Sequence, residues 1–158
     1  MKNGNTEMDA SMQLMLSFAQ VQKNMVRFIQ KSASEKGLSI PQYSILMTIL
    51  NCHEMTQKTV GEKSFLPKST LSQAVDGLVK EGYLDRQQVE DNRRETLLSL
   101  SEKGKALVEE LHLQEDGLHQ VFKAASEQFT NEQVEVLLQA HQKISTYLAE
   151  VELEGAAK

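Results

Sequence analysis

Pro67-Lys68-Ser69-Thr70-Leu71-Ser72-Gln73-Ala74-Val75-Asp76-Gly77-Leu78-Val79-Lys80-Glu81-Gly82 is the stretch whose reading decides the fold. Proline opens it, where a first helical turn has no use for an N–H, and Gly82 closes it. Between them Leu71, Val75 and Leu78, flanked by Ala74 and Val79, recur at three- and four-residue steps. The spacing predicts an amphipathic helix over 67–81 with that apolar face turned inward. Lys68, Ser69, Thr70, Ser72 and Gln73 then point outward near its N-terminus.

Immediately downstream the period changes to that of a strand. Leu84, Arg86 and Gln88 alternate with Tyr83, Asp85, Gln87 and Val89, and Thr96, Leu98 and Leu100 alternate with Leu97 and Ser99. The polar run Glu90-Asp91-Asn92-Arg93-Arg94-Glu95 between them reads as the turn of a β-hairpin. Upstream, Leu38-Ser39-Ile40-Pro41 places an N-cap before a helix-opening proline. That helix runs to about His53; Ile45, Leu46, Ile49 and Leu50, with Tyr43 and Met47, make it apolar over much of its circumference and the expected centre of the core. Thr56–Ser64 carries only a weak helical signal, since Thr59, Val60 and Gly61 have middling to poor propensity. Helix, short helix, turn, helix and hairpin between residues 39 and 100 form the plan of a winged helix-turn-helix, whose second helix enters the major groove.

Long helices flank this lobe. Met8, Met12, Met15, Ala19, Met25, Phe28 and Ile29 mark one from Met8 to Lys31, stopped by Gly37. Ser101 opens another that Ala106, Leu107, Leu111, Leu118, Val121 and Phe122 carry to about Ala125. Thr130 with Gln133 is a capping box opening a last helix through Val134, Leu137, Leu138, His141, Ile144 and Leu148. The expected fold is mainly α with a small β-hairpin wing. It is one domain over 1–158, with a winged helix-turn-helix lobe at 38–102 and a helical lobe from 8–36 and 103–153.

The net charge of −5 at first opposes a nucleic-acid partner, but it is unevenly spread: +1 over residues 1–55, +1 over 56–105 and −7 over 106–158. Phosphate contacts depend on local charge, so the reading lobe can still present a basic face. No apolar run follows the first basic residue, and Ser44–Leu50 is far too short for a membrane span. A cytoplasmic protein with no membrane partner is expected, and the single cysteine, Cys52, agrees with a reducing compartment.

The outward residues of 67–81 suit duplex DNA. Gln73 can pair bidentately with adenine, Ser69 and Thr70 can meet base edges, and Lys68, Ser72 and Arg86 can bind phosphate, Lys68 at a helix end that favours anions. Arg93 and Arg94 in the hairpin suit a narrow minor groove, where the potential is most negative. The plainer readings are a solvated helix face and a surface ion-pair cluster with Glu90, Asp91 and Glu95.

Pro67 to Leu84, then Asp91-Asn92-Arg93-Arg94, then Leu98-Ser99-Leu100-Ser101-Glu102-Lys103-Gly104 together resemble the MarR (multiple antibiotic resistance regulator) family of bacterial transcriptional regulators over nearly the whole chain. The resemblance implies a homodimer joined through the helical lobe, with two winged lobes on a pseudo-palindromic operator. The expected function is that of a sequence-specific transcriptional regulator of the repressor kind; the alternative is a winged-helix protein–protein interaction module with no DNA role. Departures are Gln73 where arginine is frequent, Asn92 at the usual aspartate of the wing, and Gly61, Ser64 and Phe65 where Ala, Leu and Gly are common.

The resemblance also implies a small hydrophobic or phenolic effector, held by Phe18, Val21, Gln22, Met25, Tyr43, Met47 and Phe122; methionines and aromatics at helical spacing also read as ordinary core. Cys52 reads as a structural cysteine. His112, Glu115, Asp116 and His119 fall at helical spacing, a pattern common on solvated helices, and no metal or cofactor is expected. No phosphate loop or nucleophile–base pattern supports an enzyme.

Overall fold

The structure, a computed structural model, describes residues 9–52, 54–89 and 91–153, with the backbone alone at Asn92 and Arg93. It divides into two compact units, one up to Gln120 and one from Val121. The first holds α1 (Ala10–Glu35), α2 (Ile40–Ile49), β1 (Glu54–Thr56), α3 (Gln57–Ser64), α4 (Lys68–Lys80), β2 (Leu84–Val89), β3 (Asn92–Leu100) and α5 (Glu102–Leu113). The chain crosses to the second along α6 (Leu118–Ser126) and ends in α7 (Asn131–Glu150).

Helix α2 starts where expected because Ser39 and Gln42 cap each other reciprocally, but it stops at Ile49, short of the expected end near 53. It is apolar on all sides, so neighbours cover it: Tyr43, Ile45, Leu46 and Ile49 are buried against Leu71, Val75 and Leu78 of α4, Leu98 and Leu100 of β3, and Leu107, Val108 and Leu111 of α5. Full burial of such aliphatics stabilises the lobe by about 1.5–3 kcal/mol apiece. Cys52 lies past the end of α2, exposed in a turn, so it is no core cysteine.

The hairpin is part of a three-stranded antiparallel sheet ordered β1-β3-β2. Strand β1 is absent from the sequence reading; three residues are too few to show alternation, and Met55 becomes legible as strand only through its partner Leu98. The wing tip also moves. Val89 pairs with Asn92 after an irregularity at Gln88/Val89, so most of the polar run taken for a turn is the start of β3. The weak helical signal at 56–64 becomes a true helix, because Thr56 accepts from the Thr59 N–H and Val60 is fully buried.

The helix expected from Ser101 to Ala125 is two helices, broken over Gln114–Gly117. Helix α1 starts at Ala10 and runs on to Glu35, stopping at Gly37 with φ +66° as expected. Only its C-terminal part is covered in this unit: Ser32 and Ala33 are buried, whereas residues 10–24 are exposed. In the second unit Thr130 and Gln133 make both bonds of the capping box, yet no residue of α7 is buried. Val136, Leu137, Leu138, Tyr147 and Leu148 are exposed. No described helix is long and apolar enough to cross a membrane.

Candidate nucleic-acid interface

The approach to α4 is built tightly. At the end of α3, Phe65 takes a left-handed conformation and donates its N–H to Gly61. The Leu66 N–H donates to the same carbonyl at 3.3 Å, which returns the Leu66 side chain to the core. Gly61 lets α3 lie close to α4, since a Cβ there would stand 2.8 Å from Leu71 Cδ2. Pro67 then occupies the N-cap and makes no side-chain capping bond. No capping side chain therefore takes up the first-turn N–H groups of α4, which suits that end to anions.

Leu71, Ala74, Val75 and Leu78 are buried, as their spacing predicts. Lys68, Ser69 and Gln73 are exposed, and Thr70 and Ser72 half-buried. Asp76 lies on the same outward face, one turn beyond Ser72 and Gln73, and would set a negative charge beside any phosphate. Arg86 of β2 answers it, with Nη1 2.8 Å from Asp76 Oδ1. That pairing ties the wing to the reading helix, a second role for a residue assigned only to phosphate.

The wing and the helix also meet at a cleft of about 600 Å³ whose lining includes Lys58, Lys68, Ser72, Glu62, Arg94 and Glu95. Three cations against two carboxylates leave it basic. It brings together Lys68, Ser72 and Arg94, which the sequence places 26 residues apart at the extremes. Lys58, in the first turn of α3, is the residue the sequence reading missed. Its signal was a cation one turn from a threonine cap, obscured by the poor propensity around it. Arg94 is exposed on β3, and the side chain of Arg93 lies outside the described residues.

The base of the wing is fastened to α5. Ser101 donates its hydroxyl to the Gly82 carbonyl at 2.5 Å and its N–H to the Tyr83 carbonyl at 3.1 Å, while its Oγ accepts from the Gly104 N–H at 3.0 Å. Lys103 donates to the Glu81 carbonyl at 2.7 Å and lies 4.4 Å from the Tyr83 ring centroid. Gly82 turns the chain at φ +80°, and a Cβ on Gly104 would fall 2.0 Å from the Tyr83 carbonyl oxygen. These contacts give the glycine–tyrosine and serine–x–x–glycine pieces of the sequence a physical reason: they join helix, wing and α5 into one frame.

Residues 36–95 match the family model described as the MarR family. The chain is 32% identical over 97 residues to the HTH-type transcriptional regulator SarZ of Staphylococcus aureus, covering 61% of this chain and 66% of the relative. It is 26% identical over 102 residues to the HTH-type transcriptional repressor YetL of Bacillus subtilis, covering 63% and 61%. Over this central part the chain is similar to the MarR family. The match thus spans just under two thirds of these relatives' own lengths. Among solved structures, the fold is similar to NadR in complex with 4-hydroxyphenylacetate (TM-score 0.71, 16% identity, 96% of this chain and 100% of that one). A mutant MarR from E. coli complexed with operator DNA gives TM-score 0.66 at 21% identity, over 87% and 99%. Overoxidized AbfR bound to DNA gives 0.61 at 22%, over 85% and 92%.

The residues expected to hold an effector differ in their exposure within each unit. Phe18, Val21 and Gln22 are exposed on α1, Met25 and Met47 are half-buried, and Tyr43 is buried, which pushes its hydroxyl pKa up. Phe122 belongs to the second unit. The imidazoles of His112 and His119 stand 3.9 Å apart across the break between α5 and α6, but Asp116 is engaged by Lys31. Among the described residues no three histidines, cysteines or carboxylates are grouped to hold a metal.

Proposed function

We propose that this chain is a MarR-type, sequence-specific DNA-binding transcriptional regulator of the repressor kind, acting in the bacterial cytoplasm as a homodimer on a pseudo-palindromic operator. The observation that carries it is the basic cleft joining the exposed N-terminal face of α4 to the wing. Ser69, Thr70 and Gln73 read bases in the major groove, Lys68, Ser72 and Arg86 hold phosphate, and Arg93 and Arg94 approach the minor groove. Lys58 joins the phosphate set. The names of its relatives, a repressor and a regulator, support the reading, as do the similarly folded chains bound to DNA.

Dimerisation is supported by apolar side chains that the single chain leaves in water, Met12, Met15 and Leu16 on α1 and Leu137, Leu138 and Leu148 on α7. The acidity of residues 106–158 keeps like charge off DNA when those helices face each other rather than the duplex. A small hydrophobic or phenolic effector against α1 and α2 fits the acid held by the similarly folded NadR. The test is fluorescence anisotropy with a duplex carrying the chain's own promoter over a salt series. Affinity falls steeply with salt, and Lys68→Ala and Arg94→Ala each lower the slope by about 1. Absence of binding at low salt defeats the proposal.

A further inference from the structure

Phe65 stands apart from every other side chain around α4. Among the described residues it is the only non-glycine with a positive φ, +57°, and the residue is 90% exposed. The turn requires a left-handed residue there, because the N–H groups of Phe65 and Leu66 both close onto Gly61. Glycine or asparagine meets that requirement at lower cost; a bulky side chain there is rare. With so little of the ring buried, the folded chain recovers almost nothing for the strain. Such an outlier points to a use outside the fold.

Its position says where that use lies. Phe65 is three residues before Lys68, no more than about 11 Å along the backbone from the first outward residue of the reading helix. Exposed lysines, Lys63 and Lys68, flank it on either side in sequence. A phenyl ring can neither donate nor accept a conventional hydrogen bond. Among the base edges of a major groove its one apolar partner is the thymine 5-methyl group. We propose that Phe65 is a further specificity-determining residue, whose ring covers a thymine methyl at the edge of the site read by α4. The assignment rests on the DNA-binding reading above.

The test begins with duplexes selected by the wild-type protein from a random pool, in which each thymine is replaced in turn by deoxyuridine, removing only the methyl. Wild type loses about fourfold in affinity at one thymine of each half-site, the value of one buried methyl-sized group. Phe65→Gly and Phe65→Asn, both compatible with the left-handed turn, bind the parent duplex about fourfold more weakly per half-site. They ignore the deoxyuridine, and they keep the wild-type salt slope. Their thermal midpoints equal or exceed that of wild type, which separates lost contact from lost fold. The inference is overturned if both variants bind as wild type does, if they still discriminate that uracil, or if they weaken unrelated duplexes equally. Failure of the wild-type protein to select any duplex overturns the DNA-binding reading itself, a result distinct from those three.

Discussion

Two glycines offer a sharp test of how the reading lobe is held together. A Cβ on Gly104 would lie 2.0 Å from the Tyr83 carbonyl oxygen and 3.0 Å from its carbon; on Gly77 it would lie 2.5 Å from Gln42 Nε2. Both distances are far inside contact, yet the obstacles differ. Tyr83 is backbone, pinned by the Ser101 N–H and close to the base of the wing, so Gly104→Ala must push α5 away from β2. Overpacking of that kind costs about 1–3 kcal/mol, and losing one or two of the Ser101 bonds adds about 0.5–1.5 each. Alanine returns about 1 kcal/mol of helix propensity at this helical position too, so the expected net loss centres on about 3 kcal/mol, a large share of a total stability of about 5–15. Gln42 instead meets Gly77 with the end of a flexible side chain. Gly77→Ala gains about 0.8–1 kcal/mol of helix propensity and gives up a comparable amount if Gln42 leaves its capping bond to the Ser39 N–H. Its net effect is within about 0.5 kcal/mol of zero. Urea unfolding at one fixed protomer concentration measures both, with the Gly104→Ala midpoint falling by roughly 1 M or more at an ordinary slope. A Gly104→Ala shift below roughly 0.2 M, or equal shifts for the two variants, refutes the distinction between rigid and yielding neighbours.

Arg86→Ala leaves Asp76 unpaired on the outward face of α4. Because the two side chains are 40% and 63% exposed, stability changes by less than about 1 kcal/mol, whereas affinity for the selected duplex falls roughly three- to tenfold. The double variant Arg86→Ala/Asp76→Asn regains part of that affinity; no recovery argues against the brace. The hydrogen bond from Lys31, with a smaller one from Gln114, lowers the Asp116 pKa from its ordinary 3.8. Asp116 therefore contributes to stability above pH 3.8 and loses that contribution as pH falls through the lower folded value. Asp116→Asn should lower the thermal midpoint at neutral pH by an amount that shrinks as pH falls below 3.8; a penalty independent of pH refutes it. The hydrogen bond to Asp116 raises Lys31 above 10.5, so its contribution is full below 10.5 and fades as pH rises through the folded value. Lys31→Met should match wild type only at strongly alkaline pH.

The sequence by itself determined the elements whose signals are local. Leu71, Ala74, Val75 and Leu78 mark the buried face of α4 through their spacing alone, and they are buried. Ser39 ahead of Pro41, and Thr130 with Gln133, announce two helix starts because the first turn's needs are met within a few residues. The period change after Gly82 announces the wing. A further local signal was there to be used: Asp116-Gly117, a turn-forming pair, marks the break before α6 that the apolar spacing of Leu111 and Leu118 hides.

Tertiary structure decided whatever depends on partners distant in the chain. Strand β1 exists because Met55 meets Leu98, and the tip of the wing is set by the irregular register at Gln88/Val89, not by the polarity of residues 90–95. The cleft is another such product: Lys58, Lys68 and Arg94 sit on three elements, and only packing α3 and β3 around α4 makes their charges one basic surface. So is the bond between Arg86 and Asp76, which turns an acidic residue on the reading face into a strut for the wing. Spacing along a chain records which face a residue occupies; which charges become neighbours is settled when the core closes, because Coulomb energy depends on distance through space.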